Sequence, residues 1–229
     1  MNQYTIDLNK QFGNLFLSAD PHFGHFNIIR FCNRPFASIQ EMDDAIINNY
    51  NQDIGSNDLL IIVGDFAAKN IRQYRERINC NNVWLIEGNH DRISSHKPGP
   101  LIRSSNLSNT PIFQKIETLC EISVIKENTK QAIILCHYAM RAWPQSHRGS
   151  YMCYGHTHHM MPDDPDLLSI DVGVDAHNYR AISIDQVSAI MAERKKTWKA
   201  DHVRWAERRN VPVRWFKDDP ALKETEWTD

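Results

Sequence analysis

Five short apolar runs in this chain stop abruptly at aspartate, glycine or histidine. Leu15-Phe16-Leu17-Ser18-Ala19 stops at Asp20, and Leu59-Leu60-Ile61-Ile62-Val63 stops at Gly64-Asp65. Val83-Trp84-Leu85-Ile86 leads to Gly88-Asn89-His90-Asp91, Ala132-Ile133-Ile134-Leu135-Cys136 to His137, and Tyr151-Met152-Cys153-Tyr154 to Gly155-His156-Thr157-His158. Runs this short and continuous read as buried strands rather than helices. Polar residues at the ends of buried strands are where α/β folds place ligands.

Helical patterns lie between the runs. Ser38 to Asn51 carries Ile39, Met42, Ala45, Ile46 and Tyr50 at helical spacing, and Ser38 with Glu41 forms an S-x-x-E capping signal. Ile71 to Ile78 is a second, shorter candidate. Cys120 to Cys136 reads as a hairpin turning at Glu127-Asn128-Thr129-Lys130, with further strands at Leu167–Val174 and Ala181–Ile184. Strands interleaved with helices indicate a layered α/β architecture.

The 229 residues are 41% hydrophobic, enough for one sizeable core and for one large domain rather than two. The domain is expected over residues 1–190, with a charged helical extension over 191–229 docked on it. Residues 192–209 hold seven Lys/Arg against three Asp/Glu, and Trp198 and Trp205 stand seven apart on one helical face. Residues 92–114 are rich in Ser, Asn, Pro and Gly and read as a long loop, a length usually tied to function or mobility. The net charge of −2 argues against a long nucleic-acid polymer as the partner. No run approaches membrane-spanning length, and the polar stretch from Met1 to Asn14 has no leader pattern. Five cysteines without a C-x-x-C pair fit a reduced, cytoplasmic protein.

The polar residues at the strand ends form a coherent donor set. Asp20, His22, Asp65, Asn89, His137, His156 and His158 offer carboxylate, amide and imidazole donors and no thiolate. That set suits Mn, Fe, Ni or Zn in a reactive centre rather than a structural zinc site. Seven positions are too many for one tetrahedral ion and suit two ions sharing a carboxylate.

In order and spacing, D-x-H, G-D, G-N-H-D, H and G-H-T-H resemble the motif set of the calcineurin-like metallophosphoesterases, from Asp20 to His158. The resemblance implies a four-layer α-β-β-α sandwich of two mixed sheets flanked by helices, with a dinuclear metal site at the strand ends. It assigns Asp20, His22 and His158 to one divalent ion, Asn89, His137 and His156 to the other, and Asp65 to a bridge between them. It implies in-line attack on phosphorus by a hydroxide held between the ions, with His90 as general acid or as stabiliser of the developing charge, and manganese is the expected metal. Asp91 would orient His90 or a ligand imidazole.

Phe23-Gly24-His25-Phe26-Asn27-Ile28-Ile29-Arg30, followed by Arg34-Pro35-Phe36, resembles a bacterial and phage-type branch of that family. His25, Arg30 and Arg34 are candidate phosphate contacts. So are Arg141, His147 and Arg148, in the loop-like connection between the fourth and fifth motifs. Asp175 is a candidate support for a ligand. A small phosphoester substrate fits the charge best. Two other readings stand beside it: a nuclease acting on short or single-stranded nucleic acid, and a non-catalytic scaffold of the same fold that binds proteins. The second has no use for His90.

Overall fold

The computed structural model describes residues 1–91 and 111–198. Within them the chain forms β1 (Asn2–Asp7), β2 (Leu15–Ser18), α1 (Phe26–Phe31), α2 (Ile39–Asp53), β3 (Leu59–Ile62), α3 (Ile71–Glu76) and β4 (Asn82–Ile86). Then follow β5 (Lys115–Glu117), β6 (Leu119–Lys126), β7 (Thr129–Cys136), β8 (Tyr151–Tyr154), β9 (Ser169–Asp171), β10 (Ile182–Ser183) and α4 (Ile184–Lys195). Ten strands make two mixed sheets of five, ordered β1-β6-β7-β8-β9 and β10-β2-β3-β4-β5. The expected α/β arrangement of two mixed sheets with helices is the one the chain adopts.

Continuous apolar runs become strands here because both faces are covered. From β2 and β3, Leu15, Leu17, Leu59 and Ile61 join a core shared with Ile122, Ile133, Leu135 and Cys153 of the other sheet. Their alternates Phe16, Leu60 and Ile62 pack instead with Ile28, Met42, Ile46, Tyr50 and Ile71 of α1, α2 and α3. Truncating such a residue, Ile61→Ala for instance, removes roughly 2–5 kcal/mol.

Strand direction brings the motifs together. β2, β3, β4 and β5 run parallel, with Ser18 opposite Ile62 and Ile62 opposite Leu85. The residues that follow, Asp20, Asp65 and Asn89, therefore emerge along one sheet edge. In the other sheet β7 and β8 are parallel with Leu135 opposite Cys153, which delivers His137 and His156 side by side. A bridge between Ala19 and Gly173 joins the two sheets at this end.

Several elements differ from expectation. β1 is not among the expected strands, and it pairs parallel with β6 from Asn2↔Cys120 to Asp7↔Ile125. It is a partly exposed edge strand, so little apolar patterning marks it. The hairpin turn is tighter than expected, with Lys126 opposite Thr129 and Glu127 at φ 52°. At α2, Ser38 Oγ accepts from Glu41 N at 3.1 Å, but Glu41 returns its bond to Ala37 N rather than to Ser38 N. The reciprocal capping box occurs at α4, between Ser183 and Gln186.

Helix α4 runs through residue 190, so the expected division at 190/191 falls inside one helix. Its Ile184, Val187 and Met191 belong to the same core cluster as Leu17 and Ile133, and Trp198 packs against it. Trp205 and most of the charged extension lie outside the described residues, as do residues 92–110 of the long loop. All five cysteines are unpaired. Among the described residues no helix is long and apolar enough to cross a membrane.

Candidate metal centre

The segment after β2 stays zipped to the segment after β3. Asp20 N donates to Gly64 O, His22 N to Asp65 O and Phe23 N to Phe66 O, each at 3.0 Å. This brings Asp20 and His22 beside Asp65. Asp20 (φ 56°), His22 (50°), Asp65 (54°), His156 (68°) and His158 (48°) all adopt the left-handed backbone region. For non-glycine residues that costs roughly 1–2 kcal/mol each. Strain of this kind persists where surrounding contacts over-determine the geometry, and it clusters at functional sites.

Two glycines permit the close approach. A Cβ on Gly64 would stand 2.0 Å from His137 Nδ1, and one on Gly88 would stand 2.2 Å from Asp65 Oδ1. The glycine in the G-D and G-N-H-D motifs is thus the space that an adjoining strand's polar side chain fills.

The seven expected ligands converge. Asp20, His22 and His158 offer donor atoms within 4.8 Å of one another, and so do Asp65, His137 and His156. Asp65 Oδ2 is 3.4 Å from both His22 Nε2 and His137 Nε2. Asn89 Oδ1 lies 3.1 Å from His137 Nε2. His137 Nδ1 is 2.9 Å from Val63 O, which can only accept, so Nδ1 carries the proton and Nε2 offers its lone pair. Asp20 Oδ2 accepts from His156 N at 2.7 Å, and Asp65 Oδ1 accepts from His90 N at 2.8 Å.

Two buried atoms here have no hydrogen-bond partner: Asp20 Oδ1 and His22 Nε2. Orphaned buried polar atoms are rare because each costs about 1–3 kcal/mol. A cation between them satisfies both, and the nitrogen and oxygen donor set suits a divalent transition ion. The residues therefore fit the metals that the family pattern implies.

Burial dominates the electrostatics. It pushes the Asp20 carboxyl up to about 7 and drives the His22 imidazole down to about 2. Burial also opposes ionisation of Asp65, but hydrogen bonding and charge from His137, with charge from His22, hold it at about 2. His156 is lowered by burial. His158 moves the other way: its hydrogen bond to Asp175 outweighs burial and raises it to about 10. His22 and His156, kept neutral by burial, flank an ionised Asp65, which makes that side of the site ready for positive charge.

The remaining candidates divide. His90 is exposed, with its ring centroid 5.0 Å from His22 and 5.5 Å from His25. His25 precedes α1, 5.3 Å from the His22 ring, with its Nδ1 buried and unpartnered. Arg30 is exposed in the last turn of α1. Arg141 and His147 are exposed in the connection between β7 and β8. Arg148 lines a separate cleft of about 680 Å³ with Gln3, Glu121, Lys130 and Lys195.

Two expectations are corrected. Asp91 bonds no imidazole among the described residues: its buried carboxylate accepts from Asp65 N (2.6 Å), Gly88 N (2.9 Å) and Phe66 N (3.0 Å), tying the third motif to the second. Arg34 is buried and bonds Asp175, Asp20 O and Pro21 O, so it braces the site's frame instead of clamping phosphate. Its sequence context, R-P-F beside other arginines, looks the same either way.

Other contributors went unread. Asp171 accepts from Thr157 Oγ1 at 2.6 Å and from His159 N at 3.1 Å, shaping the turn between His156 and His158. Tyr138 lies edge-on to His137 and His156, at 5.2 and 4.8 Å. Cys32, His158 and Asp175 also gather within 4.8 Å. Both Asp175 oxygens are already bonded to Arg34, so this group is a hydrogen-bonded cluster rather than a metal cage.

Known proteins resemble this chain. MJ1445, an uncharacterized protein of Methanocaldococcus jannaschii, is 27% identical over 191 residues, covering 79% of this chain and 93% of its own. The crystal structure of AQ665, a protein of unknown function from Aquifex aeolicus, superposes with a TM-score of 0.56 at 18% identity, over 77% of this chain and 98% of its own. That likeness is one of fold. The family model for calcineurin-like phosphoesterases matches residues 14–160, a span that holds every ligand candidate from Asp20 to His158. The strand-end geometry and this match agree, and the chain belongs to the calcineurin-like phosphoesterase family.

Proposed function

We propose that this protein hydrolyses small phosphoesters with two divalent metal ions. Asp20, His22 and His158 would hold one ion, Asn89, His137 and His156 the other, with Asp65 between them. The observation that carries the reading is Asp65 Oδ2, 3.4 Å from a ring nitrogen in each group. Manganese is the proposed metal, and iron, nickel or zinc suit the same donors. Bound there, such ions supply Lewis acidity and lower the pKa of water to about 7.

The chain's own residues do the rest. Asp65 stays ionised and takes His90 N–H on its other oxygen, which fixes the His90 backbone. The exposed His90 ring can give a proton to a leaving oxygen. His25, Arg30, Arg141 and His147 are the proposed phosphate contacts, with Arg34 and Arg148 left out on their geometry. The unpaired thiols support a reducing, cytoplasmic setting.

The test is reconstitution. Chelator-stripped protein should be inert towards bis-p-nitrophenyl phosphate, and Mn²⁺ should restore turnover. No hydrolysis of monoesters or diesters with any first-row divalent ion would sink the enzyme reading in favour of a scaffold.

A further inference from the structure

Arg34 and Asp175 are 141 residues apart and form a buried ion pair beside the candidate ligands. The Asp175 carboxylate meets the guanidinium as a fork, Nε to Oδ1 at 2.8 Å and Nη2 to Oδ2 at 2.7 Å. Arg34 Nη2 also donates to Asp20 O at 2.8 Å, and Nη1 donates to Pro21 O at 3.2 Å. Asp175 Oδ2 accepts from His158 Nδ1 at 2.8 Å. The pair therefore grips the backbone of Asp20 and Pro21 on one side and the His158 ring on the other. Because a carboxylate can only accept, Nδ1 of His158 carries the proton and Nε2 is the nitrogen left for a metal.

Among the described residues no ion pair braces the other group: the Asp91 carboxylate ties its strand ends through the backbone N–H groups of Asp65, Phe66 and Gly88. His137 is oriented by Val63 O, and Asp65 receives the backbone N–H of His90. A buried ion pair adds little net stability, since desolvation offsets its attraction. What it does supply is fixed orientation. The unpartnered Asp20 Oδ1 and His22 Nε2 lie on the braced side.

We infer that Arg34 and Asp175 are a positioning pair for one ion only, the ion at Asp20, His22 and His158. This rests on the two-ion reading above. The experiment titrates Mn²⁺ into the metal-free full chain by calorimetry, with ions counted by mass spectrometry. His22→Ala and His156→Ala identify which binding event belongs to which group. In Asp175→Asn the event lost in His22→Ala should weaken about 10–100-fold, while the event lost in His156→Ala stays at wild-type affinity. Asp175→Glu, which keeps a carboxylate, should recover part of the loss.

If Asp175→Asn does not fold, the double variant Arg34→Met/Asp175→Asn removes the unpaired buried charge and should show the same selective loss. Wild-type affinity for both ions, or an equal loss of both, overturns the positioning role. Failure of the wild-type chain to bind two ions overturns the reading beneath it, and that is visible before any variant is made.

Discussion

In one half of the site the brace is a side-chain ion pair; in the other it is the backbone of the strand ends, gathered by the Asp91 carboxylate. Asp20, His22 and His158 all adopt left-handed backbone, and Arg34 and Asp175 hold the segments that carry them. In the second half His156 is left-handed (φ 68°) but Asn89 and His137 are not, and Val63 O at the end of the β3 run is enough to set the His137 ring. Strained conformations need contacts that over-determine them. The half with more strain is the half with the long-range clamp. Asp65 belongs to both, since its carboxylate faces a ring nitrogen from each.

Variants can break or sharpen that contrast. The largest effect is expected at the residue common to both halves. Asp65→Ala should lower turnover by roughly 1000-fold, because several kcal/mol of charge stabilisation is lost at once. It should also leave fewer than two ions per chain by mass spectrometry. Two ions retained would show that Asp65 is not the link. His90→Ala comes next, with kcat falling about 100-fold while both ions remain. Esters with poor leaving groups should suffer most. An equal loss across leaving groups would remove the proton-donor role.

The glycines separate the halves more finely. Gly64→Ala puts a Cβ 2.0 Å from His137 Nδ1, at a φ of 98°. It should displace His137 and cost the second ion. Gly155→Ala puts a Cβ 2.6 Å from Asp20 Oδ2 and 2.5 Å from Ala19 Cβ, and should cost the first. Each crowding should also lower stability by about 1–3 kcal/mol in denaturant melts. If both variants lose the same ion, the division into two halves is wrong.

What was legible follows from range. Leu59 to Val63 announces a doubly buried strand because nearly every side chain in it must leave water, and Gly64-Asp65 marks where the strand stops. Ligand types were readable for the same reason, since each sits within a few residues of its run. β1 escaped because an edge strand with exposed alternates need not be apolar. The six-residue helix α1 is too short to show a period. Arg34 was misread because R-P-F looks identical whether the guanidinium meets a phosphate or Asp175. Asp91 was misread because its partners are backbone N–H groups, which have no sequence signature.

From residue order alone come buried strands interleaved with helices, the donor set and its nitrogen-and-oxygen character, and His90 as the group left over once seven ligands are counted; the division into two sheets came from the family resemblance. These depend on residue type and local periodicity. Tertiary structure alone decided which nitrogen of His137 and His158 faces inward, which atoms of Asp20 and His22 are left without partners, and which arginine braces rather than binds. Those facts rest on hydrogen bonds between residues that are 74 and 17 positions apart for the two imidazoles, and 141 for the ion pair. Contacts over such separations are set by how the strands stack, and no local pattern in the chain encodes them.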